Sequence, residues 1–577
     1  MFILFTRKKQ GQSLAQSSWN RWDWALLPLV LFVLGMFAWA AMQMSRPFVV
    51  GEQLAIQLDY LYLPYYLLRT VLRMFLALAA SLLFSMLFAA IAVKYRWAEK
   101  VMIPLLDVLQ SVPILGFQAI AIAPFIALFA GDLLGIECAA IFAIFTSQAW
   151  NMAFSLYQAM RNVPAELNEA AQVFQLSAWQ RFWRLELPYA MPDLLWNMMM
   201  SMSGGWFFLV AAEAISVAGQ DIKLPGIGSY IAVAIEAHNG WAISAAMLTM
   251  LFGILIYDQL FFRPLLAWAD KFRFEENPGV SAQQSWLLDF LRRSRGFRRL
   301  SQRFWLSASL SLSWFKRSHD GLVASKAQRQ STINWQRWLD LALAIAVLAA
   351  IWQVLNFIHS EAGWLEVWQV AKLGFYTLLR VVILIIIATL IWLPLAVWIG
   401  LRPRYAQGMQ AIAQFLAAFP INLLFPLIVF VMLKFKLNAD IWLSPLMVFG
   451  TQWYILFNVV AGASAIPGEL RDAAANLGLR GWLLWRRVYL PAVFPSYLTG
   501  AITASGGCWN ASIVAEYISW GDTTLVAQGL GSYIKQMTEA GDFPRITLGI
   551  GIMVIFVMTL NHFFWRRLYQ LAQDYKR

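Results

Sequence analysis

Apolar runs of about 20 residues recur along the chain, and short polar stretches rich in Arg and Lys separate them. A bilayer core about 30 Å thick takes about 20 helical residues to cross, so each run reads as a membrane span. The pattern predicts spans near 24–44, 66–93, 104–128, 133–157, 192–216 and 242–267, then 338–358, 374–400, 410–433, 440–462, 495–518 and 546–567. The predicted fold class is all-α, a polytopic membrane protein of about 12 transmembrane helices. The basic residues set the orientation, because positive charge stays on the cytoplasmic side. Arg7, Lys8, Lys9 and Arg21 precede the first run; Lys94, Arg96 and Lys100 follow the second; Arg161, Arg181 and Arg184 follow the fourth. Both termini are expected in the cytoplasm, with the chain crossing the membrane many times. The first run, ending in Ala38-Trp39-Ala40, is expected to be a span and not a cleaved leader.

The chain repeats itself. Trp19-Asn20-Arg21-Trp22 returns as Trp335-Gln336-Arg337-Trp338, Thr70 and Arg73 return as Thr377 and Arg380, and Pro113 matches Pro420. From Trp150 and Trp453 onward the copies run at constant offset: Pro164 with Pro467, Pro192 with Pro495, Trp206 with Trp509, Glu213 with Glu516. Gly226, Gly228, Ser229, Tyr230 and Ile231 then match Gly529, Gly531, Ser532, Tyr533 and Ile534. Such self-similarity marks a duplication. The expected domains are a first repeat over 1–270, a basic linker over 271–334 and a second repeat over 335–577. The linker alternates Arg292-Arg293, Arg298-Arg299 and Lys316-Arg317 with Trp286, Leu287, Phe290 and Leu291. It is too polar for a further span. It reads as an amphipathic helix on anionic lipid in preference to a solvated tether.

Composition narrows the function. Of 577 residues, 60% are hydrophobic and 13% charged, against roughly a quarter charged in soluble chains. The 29 Trp and 18 Tyr suit interfacial aromatic belts. A net charge of +13 raises nucleic acid as a partner. The basic residues sit in loops between apolar runs, however, so nucleic acid is excluded and membrane lipid remains. Cys138 and Cys508 give neither a disulfide framework nor metal spacing and read as packing residues. The four histidines are scattered, and no nucleophile, base or metal cluster is visible. No catalytic or metal site is expected. No Gly-x-x-x-x-Gly-Lys-Ser/Thr loop occurs, so the chain is not expected to hold nucleotide phosphates that way.

A polar loop lies between the fourth and fifth spans of each repeat, over 161–190 and 464–493. The first contains Glu169-Ala170-Ala171, then Gln175, then Leu185, Leu187 and Pro188; the second contains Asp472-Ala473-Ala474, then Gly478, then Val488, Leu490 and Pro491. Pro164 and Pro467 are placed to open a short helix, where a missing N–H costs little. Small alanines let another surface come close, Gly478 suits a tight exit turn, and Leu-Pro starts the return to the membrane.

The spacing acid-Ala-Ala, three residues, Gly, nine residues, aliphatic, one residue, Leu-Pro resembles the cytoplasmic signature of bacterial ABC importer permeases. Both loops keep it without insertion. The resemblance implies a channel subunit without enzymatic activity, in which each short helix docks on an ATP-hydrolysing partner. Glu169, Ala170, Ala171, Gln175, Leu187 and Pro188, with Asp472, Ala473, Ala474, Gly478, Leu490 and Pro491, are then the coupling elements. The implied partners are two ABC ATPase subunits and a periplasmic or lipid-anchored binding protein. The chain itself carries no cofactor, ATP-Mg residing in the ATPases. Gln175 departs from the family's Gly, and Asp472 from its usual Glu, which puts equivalence of the two contacts in question.

Within the fifth spans, Gly204, Gly205 and Trp206, and Gly506, Gly507, Trp509 and Asn510, are candidate gate residues facing each other across the path; plain helix packing is the competing reading. Counted from Pro192 and Pro495, Glu213 and Glu516 fall about 31 Å along the helix. They are functional suspects as ionisable residues in spans, or else solvated caps. Val210 to Ile231 and its twin resemble the nitrate/sulfonate/taurine branch of these permeases, which suggests a small anion. Arg73 and Arg380 either attract one or snorkel to headgroups. The alternative function is an ion- or proton-coupled secondary transporter with parallel repeats.

Overall fold

A computed structural model describes residues 21–48, 54–110, 124–217, 220–269, 285–293, 363–402, 424–520 and 523–574, with scattered positions near 112–121 and 345–416. The first repeat opens with α1 (Arg21–Met44), α2 (Leu63–Lys94), α3 (Arg96–Leu109) and α4 (Leu134–Arg161). The short α5 (Ala165–Val173) and α6 (Ala178–Arg181) lead into α7 (Leu187–Glu213). An antiparallel hairpin follows, with β1 (Ala214–Val217) on β2 (Gln220–Lys223) and Ala214 opposite Lys223. Then come α8 (Ile227–Glu236), α9 (Gly240–Tyr257) and α10 (Arg263–Ala269).

In the linker, α11 (Trp286–Arg293) is described. The rest of the linker, including the other basic pairs of the surface-helix expectation, lies outside the described residues. The second repeat has α12 (Trp364–Gly400), α13 (Phe425–Phe435), and a span broken into α14 (Ala439–Trp442), α15 (Ser444–Phe449) and α16 (Trp453–Ser464). The loop helices α17 (Gly468–Asn476) and α18 (Gly481–Leu484) lead into α19 (Leu490–Ala515). The hairpin β3 (Tyr517–Trp520) with β4 (Thr523–Val526), then α20 (Leu530–Ala540), α21 (Phe543–Leu560) and α22 (Arg566–Asp574), complete the chain.

The chain forms two compact units: residues 1–39 with 284–329, and residues 40–283 with 330–577. In the larger unit α4 packs along α2 and α7, and α16 packs along α12 and α19. Small side chains permit this closeness: Ala77, Ala89, Ala139, Ala143 and Ala153 are all buried. Ser81 and Ser85 of α2 donate hydroxyls to the Phe145 and Ala149 carbonyls of α4 at 3.3 Å. Leu83, Leu390 and Ile555 are exposed, as a lipid-facing surface requires.

Six helical stretches among the described residues are long and apolar enough to cross a membrane: Tyr60–Lys94, Leu134–Arg161, Gly240–Ala269, Trp364–Gly400, Ala439–Ser464 and Phe543–Ala572. The predicted span at 338–358 lies largely outside the described residues, and those at 104–128 and 410–433 are described only in part. In α1, an apolar stretch from Pro28 to Met44 matches the first predicted span. The fifth spans do not begin at Pro192 and Pro495, as the pattern suggested. Those prolines lie inside α7 and α19, which start at Leu187 and Leu490. Pro188 has no N–H for the Arg184 carbonyl, so the ladder slips one residue. Leu187 N–H donates to Phe182 O, five residues back, in a π-turn over Phe182–Glu186. Pro491 does the same over Trp485–Tyr489, where Leu490 N–H reaches Trp485 O.

Candidate functional site

The two loops fold alike. Pro164 and Pro467 stand in extended conformation just before α5 and α17. Ala171 and Ala474 are the buried residues of these helices, while Glu169, Ala170, Asp472 and Ala473 face outward. Each helix closes through the same pair of bonds: Gln175 N–H to Gln172 O (2.9 Å) with Leu176 N–H to Ala171 O (3.1 Å), and Gly478 N–H to Ala475 O (3.0 Å) with Leu479 N–H to Ala474 O (3.0 Å). The exit residue is left-handed in both, with φ +50° at Gln175 and +67° at Gly478. Gln175 therefore makes the turn that its lack of glycine put in question, at the cost of a Cβ in that region. Beside the turns stand exposed apolar side chains, Val173 at 80%, Phe174 at 75% and Leu477 at 77% exposure. Leu187 is buried, while Leu490, Pro188 and Pro491 are half-buried at the helix starts.

At the other end of α7 and α19 the sequence reading needs correction. Glu213 and Glu516 are not solvated caps, being 0% and 2% exposed. Glu213 Oε1 accepts from Thr70 Oγ1 (2.8 Å) and Arg73 Nη1 (2.6 Å), and its Oε2 accepts the Gly228 N–H (2.7 Å). Glu516 repeats this with Thr377 Oγ1 (2.8 Å), Arg380 Nη1 (2.9 Å) and the Gly531 N–H (2.8 Å). Thr70 and Thr377 in turn accept the Ile227 and Leu530 N–H groups at 3.0 and 2.9 Å. The repeated glycines are steric necessities. A Cβ on Gly228 or Gly531 would run into the main chain of Val210 or Ser512.

Neither Arg73 nor Arg380 snorkels, and neither is free for an anion. Arg73 is fully buried and also holds Glu137 through Nε (2.5 Å) and Nη2 (2.7 Å), while Arg69 Nη2 reaches the same carboxylate at 2.5 Å. Two arginines and two glutamates thus neutralise one another out of water, as buried charges must. In the second repeat Asp440 stands where Glu137 does, bonded to Arg380 Nη2 (3.1 Å) and accepting the Gln528 N–H (2.6 Å). Asp440 is 41% exposed and Arg380 13%, so this cluster is half open. Glu137, Asp440 and Arg69 were not singled out from the sequence. The constant offset between Glu137 and Asp440 was the available signal.

The candidate gate residues separate into two groups. Gly204 of α7 lies against the Tyr454 hydroxyl of the second repeat. Asn510 Oδ1 accepts the Ile114 N–H of the first repeat at 2.8 Å. Among the described residues, nothing stands within 4 Å of where a Cβ on Gly506 would lie. Gly205, Trp206, Gly507 and Trp509 instead pack inside their own repeats. Gly205 lies against Gln148 and Met74, and Gly507 against Thr451. Trp206 meets Tyr257 edge-on at 6.0 Å and Trp509 stacks on Phe556 at 6.3 Å. The two tryptophans therefore do not face each other across a path. Cys508 is buried beside the Thr451 hydroxyl at 3.2 Å, a packing position, and Cys138 is half-buried. Among the described residues no His, Cys, Asp and Glu group has metal-site geometry.

The described residues thus form a duplicated, almost wholly helical membrane protein with paired loops and paired buried clusters. The chain is a member of the binding-protein-dependent transport system inner membrane component family, whose pattern it matches twice, over residues 66–262 and 392–573. Among curated relatives it is similar to a nitrate import permease protein of Leptolyngbya laminosa, 27% identical over 149 residues, which are 26% of this chain and 47% of the relative. It is 28% identical over 93 residues to a bicarbonate transport system permease protein of Synechococcus elongatus, covering 16% and 32%. It is 30% identical over 117 residues to an osmoprotectant import permease protein of Salmonella typhimurium, covering 20% and 47%. The chain spans about half the length, or less, of these relatives.

Proposed function

We propose that the chain carries both channel halves of an ATP-driven importer, fused in one polypeptide and crossing a bacterial inner membrane with both termini in the cytoplasm. The observation that carries this reading is the pair of loops, alike in spacing, turn geometry and outward-facing acid-Ala pairs at matched positions. Each loop docks in a cleft of one ATPase subunit. The alanines permit close approach, and the exposed Phe174 and Leu477 supply apolar contact. ATP-Mg binds in those partners, and a periplasmic or lipid-anchored binding protein delivers solute at the hairpin end. Residues 1–270 and 335–577 form the two channel halves and 271–334 the tie between them.

The solute is a small anion of the nitrate or bicarbonate kind, a class supported by the names of two relatives. Both span arginines are occupied by carboxylates, so uncharged donors along α7 and α19 line the route in place of cations.

The test is affinity purification of the tagged full chain from its host. An ATPase in about two copies per chain, with ATP-dependent nitrate uptake after reconstitution, is the expected outcome. Replacing Ala170 and Ala473 together by Arg should strip the ATPase and abolish ATP-dependent uptake. A chain that purifies alone and moves solute without ATP would overturn the assignment.

A further inference from the structure

Between the repeats, α7 and α19 present register-matched faces of different chemistry. On α19, Thr499, Thr503, Gly506 and Asn510 recur every three or four residues and share one face. Thr499 is exposed, Thr503 partly so, and among the described residues nothing stands within 4 Å of where a Gly506 Cβ would lie. Asn510 shows where that face points. Its Oδ1 takes the main-chain N–H of Ile114 from the opposite repeat at 2.8 Å, while its Nδ2 donates to the Gly506 carbonyl at 3.1 Å. The matched positions on α7 begin with Trp196, which stacks across the repeats on Phe457 with ring centroids 4.8 Å apart. They end with Phe207, which has no amide to offer.

We propose that Asn510 is the bolt of the translocation path. Its bond to Ile114 holds the two repeats together near the hairpin end. The open face beneath it, with Thr503 and Thr499, is the stretch of path reached from the loop end. Asn510 lies five residues from the end of α19 and Thr503 seven residues further in, about 10 Å deeper at 1.5 Å per residue. The bolt sits on the side a solute enters, and the hydroxyls on the side it leaves. A neutral amide suits the place. It accepts from a main-chain N–H, and it brings no charge that must be paired. One uncharged bond can be exchanged in every cycle. This inference rests on the permease reading for the direction of transport, but the closure itself does not depend on which solute passes.

The test uses the full chain in membrane vesicles of both orientations, with Cys138→Ser and Cys508→Ala removing the native thiols and Thr503→Cys as reporter. A charged, membrane-impermeant methanethiosulfonate is applied to one face at a time. Labelling should be rapid from the loop side and at least about ten-fold slower from the hairpin side, a barrier of about 1.4 kcal/mol or more. Adding Asn510→Leu should remove that difference by speeding hairpin-side labelling, with the loop-side rate unmoved. Asn510→Gln, which keeps an amide, should restore at least part of the barrier. Loop-side labelling also reports that each variant has folded, and Asn510→Ser serves if the leucine variant fails that check. A hairpin-side rate indifferent to residue 510, or a reporter silent from both sides, overturns the proposal. If the barrier responds to residue 510 but never to ATP with ATPase present, the bolt stands and the importer assignment falls.

Discussion

Gln175 and Gly478 perform one task with different side chains. Both hold φ near +50° to +67° at the exit of a loop helix, a region where a Cβ costs roughly 1–2 kcal/mol. Among the described residues no atom stands within 4 Å of where a Cβ on Gly478 would lie, so the cost there is conformational and not steric. Gln175→Gly should therefore tighten the first turn by up to about 1 kcal/mol, less the entropy that glycine returns to the unfolded chain. Gly478→Val should loosen the second by about 1–2 kcal/mol or more, because a β-branched residue tolerates positive φ worst. Amide hydrogen exchange over the Leu176 and Leu479 N–H groups reads both changes directly. Slower exchange is expected in the first variant and faster in the second. The departure at Gln175 was visible in the sequence; that the backbone would make the turn regardless was not, because propensity gives a cost and not an outcome.

The clusters at the hairpin end tie four elements together in each repeat. In the first, Arg73 of α2, Glu137 of α4, Glu213 of α7 and the Gly228 N–H of α8 meet out of water. In the second the aspartate is one methylene shorter than Glu137, and the site is half open, Asp440 being its exposed member. Removing one member of a buried set strands the others, at about 3–5 kcal/mol. A partly hydrated set relaxes with water and loses less. Glu213→Gln should therefore lower the thermal stability of the detergent-solubilised protein clearly more than Glu516→Gln, as read by the loss of monodisperse protein on heating. Equal losses would mean that the exposure of Asp440 has no energetic consequence. These partnerships were not legible beforehand. Arg73 and Glu213 are 140 positions apart, and hydropathy marks each as an interruption of an apolar run without naming its partner. The double occurrence of Thr70, Arg73 and Glu213, like the constant offset between Glu137 and Asp440, was a clue, and duplication preserves it. The hairpins were missed for a related reason: four-residue strands beside a span leave no periodicity long enough to read.

At the scale of the whole chain, duplication made the repeat and the two matched loops legible from spacing alone, since a fixed motif survives even when its surroundings drift. What it concealed is where the repeats stop being equivalent. The differences lie at the hairpin end, where one cluster is sealed and the other half open, and between the repeats, where Asn510 has no counterpart on α7. The loop ends are alike in backbone, Gln175 included. The physical expectation is then two equal ATPase contacts under two unequal outer ends. Ala170→Arg alone and Ala473→Arg alone should each leave a complex holding a single ATPase subunit, detectable by intact mass of the purified assembly. Each should lower ATP-dependent uptake to a similar degree, at least about ten-fold if the loss of transition-state coupling exceeds 1.4 kcal/mol. A several-fold difference between the two lesions would place functional asymmetry in the loops themselves, and Gln175→Gly in the same background would show whether that one residue accounts for it.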